Sequence, residues 1–240
     1  MENFTDNPTS QTWETVYGLY NKVLVAKSKN MKADKAKQLK ELDKWYQEEL
    51  SATIKGRKDR YVTHEELCKL MKWKLTRGKF RPRLEQMVQS NSEAEVEAAS
   101  RKAFKELPNL PNAIKALTVL KAIGPATASA VLAVGAPDMA AFMADESMLA
   151  IPGLAPLQYT LPFYNQFMDH VKSITKTLNK DQQEGTKWTP HKVELTLWTY
   201  QIATNLCPEL LAGIEDDSTT TKRKTLTENR KTNIVKKLKT

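Results

Sequence analysis

The chain has few residues that could build a site from sulfur or imidazole. Its 240 residues include two cysteines, Cys68 and Cys207, and three histidines, His64, His170 and His191. Two thiols make neither a disulfide framework nor the four-thiolate cradle of an iron–sulfur cluster, and the histidines stand too far apart to complete a Cys/His zinc site. No metal and no cofactor is therefore expected. Long apolar runs are also missing: the longest uncharged stretch, residues 147–168, contains Pro152, Pro156 and Pro162, which would break a membrane-spanning helix. The first eight residues are polar and acidic where a secretory signal would be basic and then apolar. No period-2 strand followed by a glycine hairpin is found, nor a Ser/His/Asp set, nor a phosphate-binding glycine loop. These absences leave the expectation of a soluble intracellular helical protein with no membrane partner. A chain of this length buries about 70% of its unfolded surface without a covalent staple.

Charge is also scarcer than it first looks. Lys and Arg number 37 against 28 Asp and Glu, a net +9, which suggests a polyanionic partner. Residues 221–240 carry eight basic residues and one acid, so the first 220 residues are only +2. The basic clusters Lys222–Arg223–Lys224, Arg230–Lys231 and Lys236–Lys237 fit a nuclear localisation signal or a solubilising tail. With too few apolar residues to offset the entropy of ordering, residues 214–240 are expected to be a disordered basic tail. The nucleus is the expected location.

Helical spacing dominates what precedes the tail. Trp13, Val16, Tyr17, Tyr20 and Leu24 form one apolar stripe, and Leu39, Leu42, Tyr46 and Leu50 another. Residues 27–40 between them are lysine-rich and read as a solvated face or loop. Thr63 with Glu66 and Ser92 with Glu95 are capping boxes, each opening a helix whose buried face follows: Leu67, Leu70, Met71 and Leu75 after the first, Val96, Ala99 and Ala103 after the second. Thr189 with Pro190 starts a helix carrying Val193, Leu197 and Tyr200. The expected architecture is an all-α domain over residues 13–213, preceded by a flexible N-terminus, 1–12.

The densest signal is Leu120-Lys121-Ala122-Ile123-Gly124-Pro125-Ala126-Thr127-Ala128. A helix with Ile114, Leu117 and Leu120 inward enters it and an alanine-rich helix with Val131 and Leu132 leaves it. Such a turn turns backbone N–H groups and a positive helix end toward one point, an arrangement suited to phosphate. This segment resembles the hairpin of the helix-hairpin-helix superfamily of base-excision DNA glycosylases, Leu-x-Gly-hydrophobic-Gly followed two residues on by Thr-Ala. The family aspartate lies about twenty residues beyond the second glycine, and here Asp145 stands twenty-one residues after Gly124. The resemblance spans residues 63–207, with the hairpin and the aspartate as its specific parts.

The resemblance implies a helix-hairpin-helix glycosylase-like fold, duplex DNA as partner, a monomer, and Asp145 as the carboxylate that stabilises positive charge on the deoxyribose and orients water. It assigns DNA contacts to Ala122, Gly124, Ala126 and Thr127. Bifunctional members carry a lysine at the position of Ala126, so the implied enzyme is monofunctional and makes no Schiff base. Two departures stand out. Ala122 replaces the first glycine, at a cost of about 1 kcal/mol if φ is positive there, and Glu146 and Ser147 follow Asp145 where a histidine is common. Taken without the resemblance, Asp145 also fits a helix N-cap before Met148, Leu149 and Ile151.

Residues 69–83 hold Lys69, Lys72, Lys74, Arg77, Lys79, Arg81 and Arg83 with no acid. Gly78 and Pro82 place Arg77, Lys79, Arg81 and Arg83 in an exposed loop as phosphate contacts, while Trp73 and Phe80 read as core residues with lysines snorkelling around them. The histidines are expected to cap helices or sit on the surface, Cys68 to pack as a small apolar side chain, and Trp188, Trp198 and Tyr200 to pack the last helix. The leading functional expectation is a nuclear DNA-binding glycosylase of the monofunctional kind. The alternatives are a nucleic-acid-binding module that kept the fold without the chemistry, and a helical interaction protein.

Overall fold

The computed structural model describes residues 4–181, 187–212 and 214; the expected tail lies outside them, save for Ile214. The regular secondary structure of the described residues is helical, with no strand among them. In chain order the helices are α1 (Ser10–Gly18), α2 (Tyr20–Lys29), α3 (Ala33–Lys44), α4 (Ser51–Gly56), α5 (His64–Arg77), α6 (Pro82–Gln89), α7 (Glu93–Glu106), α8 (Leu110–Leu117), α9 (Pro125–Gly135), α10 (Asp145–Leu149), α11 (Leu161–Asp181) and α12 (Pro190–Leu206), with a closing 3-10 turn at Pro208–Leu211. No helix among them is long and apolar enough to cross a membrane.

Local chemistry explains where the helices start. Both capping boxes form: the hydroxyls of Thr63 and Ser92 accept from the Glu66 and Glu95 N–H groups, and each glutamate reaches back to the cap N–H. Thr189 caps α12 with Pro190 in the first turn. The first stripe is divided between two helices, because Leu19 caps α1 and α2 restarts at Tyr20. The second runs through a π-helical segment, Trp45–Leu50, which joins α3 to α4 and lets Tyr46 stack on Trp73 at 3.5 Å and donate to the Ala130 carbonyl.

Buried side chains from Trp13 to Leu211 form one hydrophobic cluster, in which α5, α9 and α12 are central. Phe4 and the start of α1 fall within the segment expected to be a flexible N-terminus. Phe4 stacks on both Trp13 and Tyr200, at 4.5 and 4.2 Å, which packs residue 4 between α1 and α12. Leu120 is also buried, but as part of the turn after α8 rather than on the helix itself.

Candidate functional site

The turn from Thr118 to Gly124 links α8 to α9, and its backbone is unusual at one point. Ala122 has φ +65°, the only positive φ of a non-glycine residue among the described residues. The left-handed geometry that favours glycine is therefore adopted by an alanine. Gly124 has φ −93°, which any residue can adopt, and a Cβ there would meet nothing within 4 Å. Neither backbone strain nor packing requires glycine at 124, and the space in front of it is open.

The turn is held from behind by a residue that sequence reasoning missed. The buried side chain of Asn91 accepts from the Lys121 N–H at 2.8 Å and donates to the Lys121 carbonyl at 3.1 Å, so one side-chain amide holds both backbone polar groups of one residue. Asn91 lies between α6 and the Ser92 capping box, and no sequence pattern links it to residue 121. At the front, the Thr127 and Ala128 N–H groups close on the Gly124 carbonyl. The N–H groups of Gly124 and Ala126 donate to no acceptor among the described residues, as expected at the start of an uncapped helix.

This turn borders a cleft of about 300 Å³, near the lower end of the size range of small-ligand pockets. Ala122, Gly124, Ala126 and Thr127 form one wall. Lys74 and Arg77 from α5, with Lys79 and Arg81 from the following loop, form the second, and Asp145 and Glu146 at the start of α10 form the third. Phe142, Met143, Leu84 and Tyr159 add apolar surface. Thr127 is buried, whereas Gly124 is exposed.

Asp145 is the first residue of α10, whose N-cap is Ala144. It makes no cap, so the capping alternative does not describe it. Both carboxylate oxygens instead accept from the Tyr159 hydroxyl, at 2.9 and 3.0 Å. Burial, and then this carboxylate, raise the pKa of the Tyr159 phenol. The Arg81 guanidinium lies 5.8 Å from the Tyr159 ring centroid. Sequence reasoning missed Tyr159: it is fourteen residues from its partner in an irregular segment and has no recognisable signature.

The basic cluster needs three corrections. Arg77 is not in an exposed loop. It ends α5 and is 1% exposed, with its guanidinium 4.3 Å from the Trp198 ring centroid and facing Asp43 at 4.0 Å and Glu194 at 3.7 Å. Its place at the cleft is behind the wall, where it cannot reach a phosphate as a loop arginine would. Arg83 is exposed on α6 and does not line the cleft. Phe80, read as core, is 59% exposed, with the Lys35 ammonium 5.1 Å from its ring centroid. Lys79 and Arg81 are exposed beside the cleft, and Trp73 is buried.

Behind the cleft lies a buried polar network. Asp43 accepts from the Tyr20 hydroxyl and the Trp73 indole N–H and faces Arg77. Ser147, two residues past Asp145, donates to Glu194 Oε1 at 2.7 Å and so ties α10 to α12. Burial pushes the Glu194 carboxyl up to about 7, against the opposing pull of Arg77. Burial, with Arg77 nearby, pushes His191 down to about 3, so its imidazole is neutral; it bonds Gln47 at 2.9 Å. His191 is therefore part of the interior rather than a surface or capping group.

A larger open groove of about 630 Å³ between α7 and α8 is lined by alanines and by Glu95, Lys102, Glu106 and Lys115, with no convergent chemistry. No group of three or more His, Cys, Asp and Glu side chains among the described residues is placed to hold a metal ion. No protein-family model, no curated protein and no solved structure matches this chain.

Proposed function

We propose that this protein binds duplex DNA through the α8–α9 turn, with a helix-hairpin-helix glycosylase-like architecture, and removes a damaged base as a monofunctional N-glycosylase. One observation carries the reading: the turn at Ala122–Thr127 and the carboxylate of Asp145 border one cleft. The unpaired N–H groups of Gly124 and Ala126, at the positive end of α9, would grip a backbone phosphate. The open space at Gly124 would admit that phosphate closely. A nucleotide turned out of the duplex would place its base against Phe142, Met143 and Tyr159. As the glycosidic bond lengthens, Asp145 would face the positive charge growing on the sugar and hold the attacking water. Ala126 leaves the turn without an amine, so water displaces the base. The basic clusters beyond residue 221 would direct the chain to the nucleus.

A second reading, a nucleic-acid-binding module without chemistry, is favoured by the Tyr159 hydroxyl, which already occupies both oxygens of Asp145. One experiment separates the two. Duplexes carrying single modified bases are incubated with the protein and then treated with alkali. Base removal gives alkali-labile sites, and Asp145→Asn lowers their yield by about 10²–10³-fold while salt-sensitive duplex binding persists. Binding without alkali-labile sites on any modified base leaves the binding module. Binding that ignores both salt and Gly124→Asp overturns both readings, since phosphate contacts weaken as salt rises.

A further inference from the structure

We propose that the face built by α3, α5 and the loop after α5 binds single-stranded DNA, with one unpaired base stacked on Phe80. This surface lies beside the cleft and is distinct from it. Only the choice of DNA over RNA rests on the reading above.

Phe80 is 59% exposed and stands outside the hydrophobic cluster. A single exposed ring is ordinary on a protein surface, but this one is surrounded by cations. Lys79 and Arg81 flank it in the chain, both exposed, and Lys35 reaches from α3 to 5.1 Å from its centroid. Lys79 and Arg81 line the cleft and Phe80 does not, so the ring stands at the rim. Behind it, α3 and α5 pack side by side in opposite directions. Lys35, near the start of α3, meets Phe80 just past the end of α5, while Lys69, early in α5, lies 4.4 Å from the ring centroid of Trp45, just past the end of α3. Lys69 and Lys72 are exposed one turn apart on α5, and about 12 Å of helix runs from Lys69 to Arg77. The exposed cations Lys69, Lys72, Lys79 and Arg81 thus follow one another to the cleft with no acid between residues 69 and 83. The exposed acids of α3 are Asp34 and Glu41, the latter 3.9 Å from Lys37. No carboxylate lies within ion-pair distance of Lys35, Lys69, Lys72, Lys79 or Arg81 among the described residues.

An aromatic ring set among cations suits an unpaired base. Within a duplex each base face is covered by its neighbours, and a protruding ring reaches one only by prising a step apart. A single strand offers its base faces freely, and lysines beside the ring hold the phosphates on either side of the stacked base. An acidic peptide would satisfy the lysines and leave Phe80 without a partner. Lys79 and Arg81 belong to both surfaces, so a strand on this face would continue from DNA held in the cleft.

The test uses the full chain and fluorescence anisotropy with labelled probes of equal length: an oligothymidylate strand, an oligouridylate strand, a DNA strand of abasic residues and a duplex. The oligothymidylate should bind at least about fivefold more tightly than the abasic strand, the least expected of one stacked base. Phe80→Ala should remove that advantage and leave the abasic strand bound as before, whereas Phe80→Trp should retain it, with thermal melting checking that both variants fold. Lys35→Ala and Lys72→Ala should each lower the slope of log affinity against log salt by about 0.7. Equal binding of the base-bearing and abasic strands, or unchanged binding by Phe80→Ala, overturns the proposal. Tighter binding of the RNA strand does so too, as does displacement of the DNA strand by polyglutamate as readily as by unlabelled strand. Base-dependent single-strand binding without salt-sensitive duplex binding upholds this site and sinks the duplex reading. Duplex binding lowered by Gly124→Asp, without base-dependent single-strand binding, does the reverse.

Discussion

Lys74 and Arg77 lie three residues apart on the same final stretch of α5, and their environments differ sharply. Arg77 is inside, facing two carboxylates and stacked against Trp198, and Asp43 beside it accepts from two further donors. Lys74 lines the cleft with no hydrogen-bond or ion-pair partner among the described residues. The interior neutralises its charges because a buried unpaired ion costs several kcal/mol. The cleft leaves an amine, two backbone N–H groups and an open glycine facing solvent, where an incoming ligand can complete them. Cationic side chains one turn apart on the same side of α5 thus divide into a structural one and an available one, according to which distant groups each side chain reaches.

The largest effect expected from this contrast is on stability. Asp43→Asn weakens the charge facing Arg77 and leaves at most one strong acceptor for Tyr20 and Trp73. It should cost about 3–5 kcal/mol, read as a lower denaturant midpoint at unchanged slope. Asp145→Asn, at the cleft, should shift stability by about 0.5 kcal/mol or less. Similar losses from both variants would erase the distinction between the two regions.

The next effect concerns pH. His191 is held neutral well below its usual range, so its contribution is lost as pH falls from about 6.5 toward 3. Glu194 is raised, so its contribution is present below about 4.5 and lost as pH rises through 7. Between pH 4.5 and 6.5 the two slopes oppose each other, and this pair should leave stability nearly flat. His191→Gln removes one of them. The variant's stability should then fall with rising pH across that window, by up to about 1.4 kcal/mol per pH unit, as measured by urea unfolding at several pH values. A flat profile in the variant would mean that Glu194 does not take up its proton on folding.

The smallest effect sharpens the account of the turn. Ala122→Gly relieves the left-handed alanine and should raise stability by about 1 kcal/mol, less the entropy gained by the unfolded chain. Gly124→Ala should leave stability within about 0.5 kcal/mol yet weaken duplex binding. Thermal melts and a salt-matched binding titration check the pair. If Gly124→Ala binds as the native chain does, the open space in front of residue 124 is not used by a ligand.

What could be read from the sequence was local. The capping boxes and the α12 start depend on residues within four positions of one another and the α8–α9 turn on one segment of nine, and each appears in the fold. The strain at Ala122 was signalled by the resemblance, which puts a glycine at that position. Arg77 was misread because its burial is decided by Asp43 and Glu194, 34 and 117 residues away. Phe80 was misread for the converse reason: an aromatic in a helix-like run tends to be core, but α5 ends at Arg77 and the chain turns outward before Phe80. Asn91 and Tyr159 left no signal, since a single polar side chain reaching a distant partner has no period.

The Asn91 clamp has a mechanical consequence. Because this amide grips the backbone of Lys121 at both its N–H and its carbonyl, the turn is braced to the corner between α6 and α7 as well as to its own two helices. A load applied at Gly124 by a bound strand would therefore pass into that corner as tension on a short strut, and the corner's stiffness would set how far the turn yields.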